Sequence, residues 1–424
     1  MLRWQSYRKR FAPLFEPLNS AVDLRAENLG LIVVIPCYDE PHVSETVNAL
    51  YTCDRPDCAV EILLIINASG RDDDTIHQQN ESTLIEMMAW AKKFNDAQFS
   101  LHCIYRDDLP VKHHGVGLAR KIGLDIAVSR FAEIGADGVC VSLDADCLVS
   151  SNYLCEIKKH FRFNHNDQLA VIDFEHRVDA LSDASHRDAM IAYELYLRYY
   201  VQGIRYAGLP YDYQTLGSCF AVRASAYMAQ GGMNKRQGGE DFYFIHKFTA
   251  LGQCGCIYTA QVMPSARLSQ RVPFGTGPGV SRWMAGDRSA YDTYNPATFE
   301  DLRCLTQWLQ GLAQSSDFSI EAMRVLPEVL LAFLTQQGVE QRVNEILANT
   351  SSIDTLIERF LRWFNAFLAL KYIHFAHETS YQAQPLIRSA QTLLRMSELE
   401  NDESDATLYG LRDHYRWLDA KNVI

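Results

Sequence analysis

The chain has 424 residues, more than one hydrophobic core usually organises, so one large domain with an appendage is expected. With 48% hydrophobic and 22% charged residues it reads as a folded globular protein, and a formal net charge of −12 excludes the basic surplus of a nucleic-acid binder. No run reaches the ~18 to 20 uncharged apolar residues of a membrane-spanning helix.

At the N-terminus Arg3, Arg8, Lys9 and Arg10 break up any leader-like apolar run, with Trp4, Tyr7, Phe11 and Phe15 among them. Residues 1–29 therefore read as a flanking segment packed on the next domain, with an interfacial anchor as the alternative. Leu31 to Ile35 is continuous and β-branched, as a strand covered on both faces should be. Val43, Val47, Leu50 and Tyr51 recur at helical spacing, Ile62 to Ile66 is a second buried strand, and a helix is expected around Thr83 to Lys93. Leu101 to Tyr105 is a third strand, Gly117 to Ile134 a long amphipathic helix, and Gly138 to Leu143 a fourth buried strand. This alternation predicts an α/β fold of right-handed βαβ units with a mainly parallel sheet, whose strand ends share one ligand-binding edge.

After Pro210, short strands and turns surround Gly217, Gly231-Gly232 and Gly238-Gly239, and a helix is expected from Asp241 to Leu251. A loop rich in Gly, Pro and Arg covers 264–288. From 296 the pattern is helical, with Leu356, Phe360, Trp363, Phe364 and Phe367 at three- and four-residue spacings. The expected division is 1–29 flanking segment, 30–292 α/β domain and 293–424 helical domain. The 11 cysteines lie mostly in apolar runs without paired CxxC spacing, so buried free thiols in a reducing cytoplasm are expected.

Asp144-Ala145-Asp146 follows the fourth strand directly. Two carboxylates one residue apart at a strand end suit a hard divalent cation, which would neutralise a pyrophosphate; a solvated turn uses Asp as readily. Ile35-Pro36-Cys37-Tyr38-Asp39-Glu40 places an aromatic and carboxylates at the same edge, suited to a nucleobase and ribose or to a helix N-terminus. Gly238-Gly239-Glu240-Asp241 opens a helix, where the carboxylates either cap it or face the pocket.

Taken in order, these segments resemble the family 2 glycosyltransferases of the GT-A fold. Ile35 to Glu40 is similar to that family's first strand end, and Gly115 to Arg120 with Gly123 to its glycine-containing helix start. Asp144 and Asp146 resemble its DXD motif, and Gly217 to Arg223 with Glu240-Asp241 its acceptor-side segment and ED motif. The resemblance implies a Rossmann-like mixed, mainly parallel sheet flanked by helices, and inverting transfer from a nucleotide-diphosphate sugar to an acceptor hydroxyl. Pro36, Tyr38, Glu40, Asn67, Arg120, Asp144 and Arg271 would bind the nucleotide sugar, and Asp144 and Asp146 would hold Mn2+ or Mg2+. Asp241 would be the general base, supported by Glu240. The acceptor hydroxyl would belong to a glycan, a lipid-linked or a small molecule. The helical region could form a homodimer interface or dock peripherally on a membrane.

Three positions depart from the family pattern. Asn67 stands where a carboxylate usually reads the base, leaving a UDP-sugar favoured by family habit only. Lys121 replaces an Asn, and the loop from Arg267 to Gly279 lacks the usual late histidine, leaving Arg267 and Arg271 to share phosphate charge. Of the 13 histidines, His176 is the best placed as a ligand, and the run from Tyr193 to Tyr213 reads as packing rather than sugar stacking. Two other functions stay open: a non-catalytic sugar- or partner-binding protein on this fold, and a sugar-phosphate nucleotidyltransferase. The latter would want a glycine-rich basic loop after the first strand, which Pro36 to Glu40 is not.

Overall fold

Two nearly unbroken apolar runs set the sheet: β1 (Leu29–Cys37) and β2 (Ala59–Asn67) are buried along their whole length. Apolar area of this kind favours folding by ~25 cal/mol per Å² removed from water, and only a strand covered on both faces hides all of it. The computed structural model describes residues 2–12, 28–110, 115–234, 239–268, 276–286, 292–315, 321–350, 352–399 and 407–421. The chain divides into two compact units, residues 1–177 with 215–274, and residues 178–214 with 275–424.

The first unit begins with α1 (Leu2–Phe11), then β1, α2 (Val43–Tyr51), β2, α3 (Asp74–Phe94), β3 (Phe99–Arg106), α4 (Val116–Ile134) and β4 (Val139–Ser142). It continues through β5 (Leu148–Val149), α5 (Tyr153–Phe163) and β6 (Leu169–Phe174). After α6 (Ala184–Tyr206), which belongs to the second unit, it resumes with β7 (Phe220–Arg223), α7 (Ala224–Ala229), α8 (Glu240–Thr249) and β8 (Cys254–Met263). The strand order is β3-β2-β1-β4-β7-β6-β8-β5. β3, β2, β1 and β4 are parallel, β7 runs against both β4 and β6, and β6 and β8 are parallel. This is the Rossmann-like mixed, mainly parallel GT-A sheet expected from the sequence, flanked by helices and followed by a helical C-terminal region. Strand order reverses between β1 and β4, and ligands of open α/β sheets bind at such a switch point.

Pro36 lies inside β1, opposite Ile65. Pairing with β4 ends at Val34, so on that side the missing N–H of proline costs no ladder bond.

The helix expected to be amphipathic, α4, is instead buried at every residue from Gly117 to Phe131. It packs on β1, β2 and β4, and α1 and α7 also lie against it. Gly123 permits the closest approach, since a Cβ there would sit 2.3 Å from Val34 Cγ1. Lys121 pairs with Asp125 at 3.0 Å, and Asp125 accepts hydrogen bonds from Tyr7 (2.7 Å) and Tyr227 (3.0 Å). Through this cluster and Trp4, α1 packs on the unit as a flanking helix and leaves Arg3, Arg8, Lys9 and Arg10 exposed.

The second unit contains α6, α9 (Thr276–Met284), β9 (Asp292–Thr293), α10 (Ala297–Ser315), α11 (Glu328–Gln336), α12 (Val339–Ala348) and α13 (Ile353–Trp363). It ends with α14 (Ala366–Thr379), β10 (Gln384–Pro385), α15 (Leu386–Met396) and α16 (Leu408–Lys421). The loop expected over 264–288 thus contains a helix, α9. Its Pro278 falls in the first turn, where the absent N–H has no intrahelical partner to lose. In α6, buried Arg198 pairs with Asp419 of α16 at 2.7 Å and with Glu194 at 3.2 Å. Tyr196 and Tyr199 hydrogen-bond Tyr294, so these tyrosines pack rather than present a sugar platform. Of the 11 cysteines expected to be buried thiols, seven are buried, whereas Cys103, Cys155, Cys256 and Cys304 are half-buried. Among the described residues no helix is long and apolar enough to cross a membrane.

Candidate active site

The ends of β1 and β2 are fixed by a small set of side chains. Asp39 adopts φ 48°, the left-handed region that Asp tolerates better than most residues. Fully buried Asn80 of α3 stabilises that turn: its Oδ1 accepts from the Asp39 N–H (3.1 Å), and its amide donates to the Asn67 carbonyl (3.0 Å). Tyr38 donates to Asp72 (3.0 Å), which also accepts from the Ser69 N–H (2.6 Å). The Asn67 side chain is buried, and its Oδ1 has no hydrogen-bond partner among the described residues. An orphaned buried carbonyl forfeits its hydration, so a ligand N–H delivered there gains a full hydrogen bond.

At the end of β4, Asp144 and Asp146 are 36% and 32% exposed, open enough for a ligand to reach them. Arg120 of α4 lies buried behind them. One Nη donates to Asp144 at 2.6 Å, and the other donates to Glu240 at the start of α8. Burial penalises the Arg120 cation, but Asp144, Glu240 and Asp241 outweigh that and raise its pKa. Next to Glu240, burial together with the Glu240 charge pushes the Asp241 carboxyl up from 3.8 to about 6, against the pull of Arg120. Its Oδ1 accepts from the Phe242 N–H at 2.7 Å.

Gly217 makes room for this guanidinium. A Cβ there would lie 2.7 Å from one Arg120 Nη and 2.9 Å from Cζ, and Arg120 is held by carboxylates on two sides. Gly217→Ala is therefore expected to destabilise the protein by ~1–3 kcal/mol in chemical denaturation. An unchanged midpoint would mean that the guanidinium is free to shift.

A second arginine closes the other side. Arg267 forms a two-pronged pair with buried Glu40, which also accepts from the His42 N–H, and its Nη2 lies 3.3 Å from Asp146. Two carboxylates with hard oxygen donors suit Mn2+ or Mg2+, which are commonly held by one or two carboxylates plus substrate phosphates. Among the described residues no group of three or more His, Cys, Asp or Glu side chains is placed to hold a metal. Asp144 and Asp146 are two partly exposed carboxylates at this edge, each beside an arginine, Arg120 and Arg267.

Of the residues singled out from the sequence, Asp144, Arg120, Glu240 and Asp241 form one connected charge cluster, and Glu40 joins Asp146 through Arg267. Tyr38 and Asn67 lie at neighbouring strand ends, and Pro36 is a buried strand residue. Arg271, Gly238 and His113-His114 lie outside the described residues. His176 is buried, edge-on to Phe174 at 5.7 Å. Asn80 and Asp72 were missed from the sequence. The available signal for Asn80 was an amide on the apolar face of a helix, where only an internal partner can satisfy it.

No protein-family model matches the chain, and no curated protein matches it. Among solved structures, it is similar to residues 1–349 of S. aureus TarS in complex with UDP-GlcNAc, at 12% identity and TM-score 0.41, covering 93% of this chain and 91% of that one. It is also similar to S. aureus TarS at 14% identity and TM-score 0.37, over 83% of this chain and 55% of that one. GalNAc-T7 with UDP, GalNAc and Mn2+ is similar at 14% identity and TM-score 0.35, over 61% and 48%.

Proposed function

We propose that the protein is a glycosyltransferase that moves a sugar from a nucleotide-diphosphate donor, a UDP-sugar favoured, to an acceptor hydroxyl with inversion. One observation carries this reading: a single buried guanidinium, Arg120, gathers Asp144 of the strand-end carboxylate pair and Glu240, the neighbour of a carboxyl raised to about 6. A general base works best when its pKa lies near the operating pH, and Asp241 is tuned towards that range.

In this reading Tyr38 and Pro36 line the nucleoside pocket, and the buried Oδ1 of Asn67 accepts a hydrogen bond from the base. Arg120 orients Asp144 towards the donor and Glu240 towards Asp241. Asp241 takes the proton of the acceptor hydroxyl as its oxygen attacks the anomeric carbon opposite the leaving nucleotide. Asp144 and Asp146 would hold Mn2+ or Mg2+, which when bound supplies positive charge against the departing diphosphate. Arg267 adds a fixed cation at the same edge. A binding protein without catalysis gains nothing from a half-buried carboxyl whose ionisation costs stability, and this favours the enzyme over that alternative.

The test is a calorimetric and thermal-shift screen of common nucleotide-diphosphate sugars with and without Mn2+. At a donor concentration one hundred times its Kd, stabilisation of about 2.7 kcal/mol is expected. If none of the donors binds in the presence of Mn2+, the transferase reading fails.

A further inference from the structure

The helical unit holds a cavity of about 600 Å³ that plays no part in the chemistry above, lined from α12, α13 and α14. Arg342 comes from α12, and Arg359 and Arg362 come from α13, three residues apart and so on one helix face. Among the described residues Glu345 is the one carboxylate of the lining, against these three arginines, and it pairs with Arg342 at 2.9 Å. Arg362 lies 3.8 Å from Glu358, and both are well exposed, a weak coupling that a better anion would displace. In a chain of net charge −12, this positive cavity reflects placement rather than composition.

Beside the arginines, half-buried Trp363 also lines the cavity. Its indole is braced edge-on against buried Phe360, with ring centroids 5.3 Å apart at 67°. A fixed indole offers a flat apolar face for the C–H side of a sugar ring. Guanidinium forks match phosphate, sulfate or carboxylate, and the amides of Asn349 and Asn365 can both donate to and accept from hydroxyls.

We propose that this groove binds an anionic saccharide, a sugar chain bearing phosphate, sulfate or carboxylate groups, with Arg359 and Arg362 on its charge and Trp363 on a ring face. The volume falls within the ~300–1,000 Å³ of small-ligand pockets. Binding of single-stranded nucleic acid would want a basic track with successive stacking rings, and the groove presents one indole. The proposal is independent of the transferase reading.

The probe is a heparin-derived octasaccharide titrated calorimetrically into the full chain, beside neutral maltooctaose and single-stranded octathymidylate. The sulfated saccharide is expected to bind most tightly of the three. Trp363→Ala and the double variant Arg359→Gln/Arg362→Gln should each weaken it by about tenfold or more, equivalent to ~1.4 kcal/mol, with Trp363→Phe recovering most of the loss. Unchanged melting midpoints separate these effects from misfolding, and the arginine pair, being exposed, provides a readout if Trp363→Ala does not fold. The proposal is overturned if the octasaccharide does not bind, if octathymidylate or maltooctaose binds as tightly, or if the groove variants keep full affinity.

Discussion

Replacing Asp241 with asparagine is expected to abolish most sugar transfer and, at pH 8, to make the protein more stable. The carboxyl titrates at about 6 in the folded chain, against an ordinary value of 3.8, because it is partly desolvated and lies beside the Glu240 charge. A folded-state pKa above the unfolded one means that the native state holds its proton more tightly. The associated stability is fully present below pH 3.8, falls as pH rises between 3.8 and 6, and is absent above 6. At one pKa unit per 1.36 kcal/mol, ionising Asp241 costs the fold on the order of 1–3 kcal/mol at pH 8. Asparagine keeps the shape and removes the charge, so melting of the variant should exceed wild type at pH 8 and match it near pH 4. Loss of a general base typically costs ~10²- to 10⁴-fold in rate, and wild-type kcat/KM should fall with unit slope as pH drops below about 6. Full activity in Asp241→Asn would remove it as the base. A lower melting midpoint at pH 8 would mean that its carboxylate is paired rather than strained.

Much of the sheet is legible in the sequence because β1, β2 and β4 leave no polar face: a run such as Leu31-Ile32-Val33-Val34-Ile35 has only buried solutions. The placement of Asp144 and Asp146 at a strand end follows from the same pattern. What the sequence hides is where buried charge goes. In α4 the residues Arg120, Lys121, Asp125 and Arg130 imitate a wet helix face, yet each is buried and paired with a distant or local partner: Asp144 and Glu240, Asp125, Tyr7, and Glu61 of β2. Periodicity reads charge as solvent exposure and cannot see a partner brought in by tertiary folding. The Arg267–Glu40 pair, 227 positions apart, is hidden for the same reason. So is the inclusion of residues 178–214 in the helical unit, where Arg198 of α6 finds Asp419 near the chain's end.

Arg120→Met tests how the buried cluster is coupled. Methionine preserves much of the side chain's bulk but leaves Glu240, whose side chain is 3% exposed, without its cation. Breaking one side of a buried ion pair strands the other charge, and an expected cost of ~3–5 kcal/mol should appear as a lower denaturation midpoint. That loss alone would fit a purely structural arginine, so the pH profile decides. Arg120 pulls the Asp241 carboxyl down, and without it the carboxyl should titrate above its present value of about 6, moving the acid limb of kcat/KM to higher pH. Adding Glu240→Gln to Arg120→Met removes both the stranded charge and the main charge raising Asp241. The double variant should regain part of the stability and return the limb towards its original position, a non-additivity that a double-mutant cycle reads directly. Arg120→Lys should recover little, because one ammonium cannot reach two carboxylates with the fixed fork of a guanidinium. If the acid limb stays in place in Arg120→Met, Arg120 is a structural brace only, and the link between the donor-side carboxylate and the base is broken.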